Sequence, residues 1–131
     1  MRLPWGIPAV RDRIVQGALR HVLEPNFEME FAEHSYGFRP GRGAKDALRR
    51  VNTLLKAGQV WVVDADLKSY FDTIPHERLL ALIQARVADG RVLALVKSFL
   101  CAGVLEAAKG WQPTERGTPQ GGVISPLLAN L

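Results

Sequence analysis

Val60-Trp61-Val62-Val63-Asp64-Ala65-Asp66-Leu67-Lys68-Ser69-Tyr70-Phe71-Asp72 is the stretch on which the reading of this chain turns. Its β-branched and aromatic first half contains no turn former and predicts a buried strand over residues 60–66 that delivers carboxylates to its end. In a strand, Val60, Val62, Asp64 and Asp66 face one side while Trp61, Val63 and Ala65 face the other, so the two acids share a face. Hard divalent cations such as Mg²⁺ take oxygen ligands, and carboxylates at a strand end can clamp two ions across a phosphate. A pair of acids in that position is also a common turn or cap feature, and spacing alone leaves both readings open.

On the C-terminal side, Pro75 and His76 introduce a helix through about Val87, with Leu79, Leu80, Ile83 and Val87 as its apolar positions and Gly90 as its break. Residues 91–101 predict another apolar helix, in which Cys101 reads as a small buried filler. A short hairpin follows, one arm spanning Val104 to Ala107 and the turn lying near Lys109-Gly110. Gly117-Thr118-Pro119-Gln120-Gly121-Gly122 is a loop whose bare amides could approach a phosphate or a base pair, and Gln120 offers both a donor and an acceptor. The plainer reading is a tight connection to a new helix, Pro126 to Leu131, with Ser125-Pro126 as N-cap and first-turn pair.

On the N-terminal side, Ile14, Val15, Ala18, Leu19, Val22 and Leu23 recur at helical spacing from Val10 to Glu24, and Pro25 ends the pattern. Gly17 inside that helix suggests close packing. His34-Ser35-Tyr36-Gly37-Phe38-Arg39-Pro40-Gly41 predicts a shaped loop, and Arg42 to Lys56 an amphipathic helix with Ala44, Ala47, Leu48, Val51, Leu54 and Leu55 inward, stopped at Gly58.

The 131 residues, 47% hydrophobic, suffice for one domain or two small lobes sharing a core. No apolar run approaches the length of a membrane span and no signal-peptide core is present, so the expectation is a cytoplasmic protein with no membrane partner. The net charge of +4 is carried by residues 1–58, with ten Lys or Arg against six Asp or Glu; residues 59–131 hold seven of each. That imbalance suits a polyanion contacted through the first segment, or simply a solvated basic face. His21, His34 and His76 lack companions at zinc-ligand spacing and are read as structural, and no Ser-His-Asp arrangement or phosphate-binding Gly-Lys-Ser/Thr loop occurs.

Four segments taken in order carry a resemblance. They are Gly6-Ile7-Pro8-Ala9-Val10-Arg11-Asp12-Arg13-Ile14-Val15-Gln16, His34 to Arg42, Asp64 to Asp72, and Gly117 through Gln120-Gly121-Gly122 to Asn130. Together they resemble reverse transcriptases encoded by bacterial group II introns, over nearly the whole chain. The resemblance implies an α+β fold of the right-hand polymerase type, amphipathic helices packed on a small antiparallel sheet, with fingers at 1–58 and the first part of the palm at 59–131. It further implies metal binding by Asp66 with Asp64 beside it, the Leu67 carbonyl as a further ligand, and Phe71 as the bulky residue that screens out a ribonucleotide 2′-hydroxyl. Asp72 caps the following turn. Gln120 would line the incoming-nucleotide pocket, with Pro119 and Gly121 shaping the loop against template and primer, and Arg39, Arg42 and Lys45 would contact nucleic acid.

By the same resemblance the chemistry is attack of a DNA primer 3′-hydroxyl on a deoxynucleoside triphosphate, templated by RNA, with two Mg²⁺ ions and group II intron RNA as a partner. The family's aromatic-x-Asp-Asp hairpin has no counterpart here, since no Asp-Asp pair occurs and no acid follows Glu115. The basic segment that precedes the fingers, the remaining palm and the thumb are likewise not found. The expectation is therefore a fragment unable to polymerise alone, with exposed apolar surface at Leu127, Leu128 and Leu131. The competing expectations are an RNA-binding, maturase-like piece completed by another chain, and a remnant of a mobile element.

Overall fold

The computed structural model describes residues 7–106, 110–119 and 121–131. Six helices and one hairpin follow in the order α1 (Val10–Glu28), α2 (Ala44–Lys56), α3 (Tyr70–Thr73), α4 (His76–Gln84), α5 (Gly90–Leu100), β1 (Val104–Glu106), β2 (Gly110–Gln112) and α6 (Ser125–Asn130). The content is α+β, with a two-stranded antiparallel sheet that pairs Val104 with Gln112 and Leu105 with Trp111. The helices do not pack on that sheet, contrary to the expectation from sequence. Both Leu105 and Trp111 are exposed, and the helices bury their apolar faces against one another instead. The hairpin is placed as predicted, although its turn lies outside the described residues.

One core joins both halves of the chain. Leu19, Leu23 and Phe27 of α1 meet Leu79 and Ile83 of α4, Val96 and Leu100 of α5, and Ile124, Leu127 and Leu128 at the C-terminal end. Leu127 and Leu128 are thus covered, which corrects the expected apolar exposure at α6. They belong to one buried cluster with residues of α1, α4 and α5, and α6 also contacts α3.

Two expectations about α1 change. The helix runs through Pro25 to Glu28, and its buried stripe is Gln16, Leu19, Leu23 and Phe27. Proline removes one N–H from the helix ladder, a local loss. Phe27, one turn beyond Leu23, is 3% exposed, and its burial in the core holds the last turn in helical register. Ile14, Val15, Ala18 and Val22 face outward, rotated away from the stripe that the core selects. Gly17 meets nothing within 4 Å of where a Cβ would stand, so close packing does not account for it.

Asp89 caps α5 by accepting the Arg91 N–H at 2.8 Å, so Gly90 begins this helix as well as separating it from α4. The Arg91 guanidinium beside it, with the same N–H, holds the Asp89 carboxyl below the usual carboxylate range. Cys101 is the exposed C-cap of α5, not a core filler. The α2 helix begins where the Asp46 carboxylate accepts the Gly43 N–H and ends at Gly58, whose φ of +88° lets the Gln59 N–H reach the Leu54 carbonyl.

Residues 60–66 are not a strand. Trp61 is 96% exposed and Val63 94%, so both faces of the run lie open. A strand exists only as part of a ladder, and no described strand lies beside this run. The neighbouring α2 is uncovered in the same way, with none of its residues fully buried. Ile83→Ala should cost about 2–5 kcal/mol of unfolding free energy, whereas Leu48→Ala, on the uncovered face of α2, should cost under about 1 kcal/mol. Chemical denaturation of both variants measures the contrast.

Candidate functional site

The site begins where the open run turns into the core. Ser69 sits in the left-handed region at φ 54° and ψ 37°, a conformation costing a non-glycine residue roughly 1–2 kcal/mol. It redirects the chain into the single turn of α3, and the Thr73 hydroxyl bonds back to the Ser69 and Tyr70 carbonyls. Phe71 then packs against the core, with the Tyr70 ring edge-on at 6.2 Å. The Tyr70 hydroxyl donates to the Ala129 carbonyl at 3.0 Å, tying this turn to α6. Ala65, Asp66, Leu67, Ser69, Tyr70, Phe71 and Asp72 line an open concavity of about 560 Å³. Asp66, Leu67 and Phe71 therefore share this lining, while Asp64 is not part of it.

The glycine-rich loop docks against this turn through its backbone. The Thr118 N–H donates to the Phe71 carbonyl at 2.7 Å and the Gly117 N–H to the Ile74 carbonyl at 2.8 Å. Arg116 forms an antiparallel bridge with Pro75. His76, read from sequence as structural, donates from Nε2 to the Gly117 carbonyl at 2.7 Å, which fixes the proton on that nitrogen. Gly117 has φ +80°, and a Cβ there would stand 2.6 Å from the Phe71 carbonyl oxygen. Only glycine permits so close an approach.

Past the loop tip the polar groups are satisfied internally. The Thr118 hydroxyl donates to the Ser125 hydroxyl at 2.7 Å, which donates in turn to the Pro119 carbonyl at 2.8 Å. Ser125 is thus the first residue of α6 and not its cap; the N-cap is Ile124. The Gln16 side-chain carbonyl, 107 residues earlier, accepts the Val123 N–H at 2.8 Å and the Ile124 N–H at 3.4 Å. Gly121, at φ +98°, and Pro119 flank the tip; Gln120 lies outside the described residues.

The loop between α1 and α2 is organised by Arg39. Its guanidinium is 3% exposed and donates to Glu28 Oε1 at 2.9 and 2.7 Å. It also donates to the backbone carbonyls of Ala32, Ser35 and Glu28, and lies 5.3 Å over the Phe31 ring. A guanidinium so engaged has no donor to offer a phosphate, so Arg39, expected at nucleic acid, instead shapes the loop. Arg42 donates to the Glu33 carbonyl, and Lys45 is exposed. Asn130 at the end of α6 donates to the Gly37 carbonyl at 2.9 Å, linking this loop to the Phe71 side of the molecule.

Chemically, Asp66 and the Leu67 carbonyl are hard oxygen donors on an open concavity, the ligand type Mg²⁺ takes alongside waters and substrate phosphates. Among the described residues no three His, Cys, Asp or Glu side chains gather into a metal-binding group. Sequence reasoning missed Gln16, Thr118, Tyr70 and Asn130 as positioning groups. One signal for Gln16 was available, because it falls in helical phase with Leu19, Leu23 and Phe27, an amide within an apolar stripe.

Gly117→Ala should lower stability by at least about 2 kcal/mol, because the methyl collides with backbone and the positive φ is strained. Arg39→Lys should lose about 2–4 kcal/mol although charge is kept, because one ammonium cannot replace the fork that spans Glu28, Ala32 and Ser35. Urea unfolding followed by tryptophan fluorescence checks both.

Comparison with known proteins identifies the family. Residues 1–131 match the family described as reverse transcriptase (RNA-dependent DNA polymerase). The chain is 43% identical to protein YkfC of Escherichia coli over 98% of its own length and 34% of that protein. It is 42% identical to the group II intron-encoded protein LtrA of Lactococcus lactis over 98% of its length and 21% of that protein. With nuclear intron maturase 4, mitochondrial, of Arabidopsis thaliana, identity is 34% over 95% of the chain and 16% of that protein. It therefore spans about a third or less of each of these curated relatives. With Asp66, the Phe71 turn and the glycine loop all inside the matched region, the chain belongs to the reverse transcriptase family and is similar within it to group II intron-encoded proteins and intron maturases.

Proposed function

We propose that this chain supplies the fingers, residues 1–58, and the first part of the palm, residues 59–131, of an RNA-directed DNA polymerase of the group II intron type. The observation that carries the reading is the pairing of the Phe71 turn with the Gly117-Thr118 backbone. Through it, the concavity holding Asp66 and the loop bearing Pro119 and Gly121 form one unit.

In this reading the primer 3′-oxygen attacks the α-phosphorus of a deoxynucleoside triphosphate, a new phosphodiester forms, and pyrophosphate leaves. Mg²⁺ held by Asp66 and the Leu67 carbonyl, with Asp64 as a second carboxylate from the open run, would neutralise charge on the attacking and leaving oxygens. Phe71, packed against the core and bonded through its carbonyl to the Thr118 N–H, would be the residue that screens out a 2′-hydroxyl. Pro119 and Gly121 would shape the loop against template and primer, and Gln120, outside the described residues, is assigned to the incoming-nucleotide pocket by its motif alone. Arg42 and Lys45 contact phosphates of RNA template or intron RNA, whereas Arg39 holds the loop that presents Arg42.

A second reading, of a piece completed by another chain, draws on the exposure of Trp61 and Val63 and the uncovered face of α2. Both readings share one prediction. The isolated 131-residue chain, with no Asp-Asp pair, extends no primer on an RNA template given Mg²⁺ and deoxynucleotides; template-dependent extension would sink the claim. RNA binding should weaken with salt, and replacing Arg42 and Lys45 together by alanine should lower the log–log salt slope by about 1–2. RNA affinity that does not vary with salt would remove the basic face from the interface. No described helix is long and apolar enough to cross a membrane.

A further inference from the structure

Gln16 is buried, 6% exposed, on a helix face otherwise made of Leu19, Leu23 and Phe27. An amide in that setting is costly unless its polar atoms are matched. Its Oε1 meets two backbone donors at once, Val123 and Ile124, at the entry to α6, where N–H groups have no carbonyl of their own helix to bond. A carbonyl oxygen has two lone pairs, so one side chain can serve both.

The stretch from 119 to 124 is held at three points that differ in kind. Its base is pinned by Gly117 and Thr118 to the Phe71 turn. Its interior is pinned by the Thr118, Ser125 and Pro119 chain of hydrogen bonds. Its exit is held from within by the Gly122 N–H to the Pro119 carbonyl and the Ser125 N–H to the Gly122 carbonyl, at 3.0 and 3.3 Å, and from outside by Gln16, which takes the Val123 and Ile124 N–H groups that these turns leave over. Gly122 lies between the last two, and a Cβ there would stand 2.4 Å from Ser125 Oγ and 3.4 Å from Gln16 Oε1, so the chain is threaded closely past the amide. Gln16, Thr118, Pro119, Gly122 and Ser125 line a space of only about 10 Å³, so the loop exit packs closely beside the amide.

We infer that Gln16 is a positioning residue: its carbonyl anchors the exit of the glycine loop and thereby sets where Pro119 and Gly121 stand relative to Phe71. This rests on the polymerase reading above for its consequence, though the anchoring itself does not. Because Leu127 and Leu128 hold α6 to the core independently, losing the Gln16 carbonyl frees the loop exit without dissolving the fold.

Amide hydrogen exchange on the ¹⁵N-labelled 131-residue chain tests it. In Gln16→Leu, Val123 and Ile124 should exchange at least about tenfold faster, with Ile83 and Val96 unchanged. Gln16→Glu, which keeps an acceptor at the same reach, should restore slow exchange. If the leucine variant fails to fold, Gln16→Asn, one methylene shorter and still polar, carries the same expectation. Unchanged exchange at Val123 and Ile124, or acceleration spread equally to Ile83 and Val96, overturns the proposal. A second arm adds Mg²⁺ with a deoxynucleoside triphosphate and follows the Thr118 and Gly121 amides. Perturbation in the wild type that is lost in Gln16→Leu and regained in Gln16→Glu supports the positioning role; perturbation that persists unaltered in Gln16→Leu overturns it. Absence of any perturbation in the wild type, with the local exchange change still present, supports the anchor and counts against the nucleotide reading.

Discussion

Much of this structure depends on two backbone hydrogen bonds, Thr118 N–H to the Phe71 carbonyl and Gly117 N–H to the Ile74 carbonyl. Neither segment is in a named strand, so their buried polar groups find partners in each other. The contact is as close as it is because position 117 has no side chain. From it the geometry spreads. His76 closes on Gly117, Tyr70 reaches Ala129, and α6 lies where Leu127 and Leu128 complete the core.

The polar ties and the apolar core have separate tasks. The core of α1, α4, α5 and α6 holds the elements together through area removed from water, which is insensitive to small displacements. The hydrogen bonds are directional, and they cluster where the site needs definition: at the glycine loop, at the Phe71 turn and in the Arg39 loop. Ser69 stores backbone strain at the junction of the open run and the core, consistent with an over-determined turn beside the concavity.

One side of the site is built and the other stands open. Phe71 rests on the core, yet the run that leads to Asp66 exposes Val60, Trp61, Val62 and Val63, and α2 beside it in sequence leaves Leu48, Val51 and Leu55 in solvent. These are the residue types of a buried strand and a core helix. Their exposure leaves an apolar surface beside the site, of the kind that marks contact regions.

Local signals were legible in the sequence wherever one residue type sufficed to produce them. Gly58 stops α2 because only a positive φ lets the chain fold back there, the 3.6-residue period of Leu79 and Ile83 marks α4, and the acid, aromatic and glycine motifs identify the family and the candidate site. What the sequence alone could not decide was which faces would find partners. Periodicity names one broad apolar pattern on α1 ending at Pro25, and only packing in the shared core selects the stripe through Gln16, Leu19, Leu23 and Phe27 and carries the helix past Pro25. A β-branched run becomes a strand only if a neighbour offers hydrogen bonds, which residues 60–66 lack here. In sequence Arg39 reads as a nucleic-acid contact and Gln16 carries no role of its own. Tertiary structure made one a loop clamp and the other a loop anchor, because each reaches acceptors or donors that are distant in the chain and close only once the core has formed.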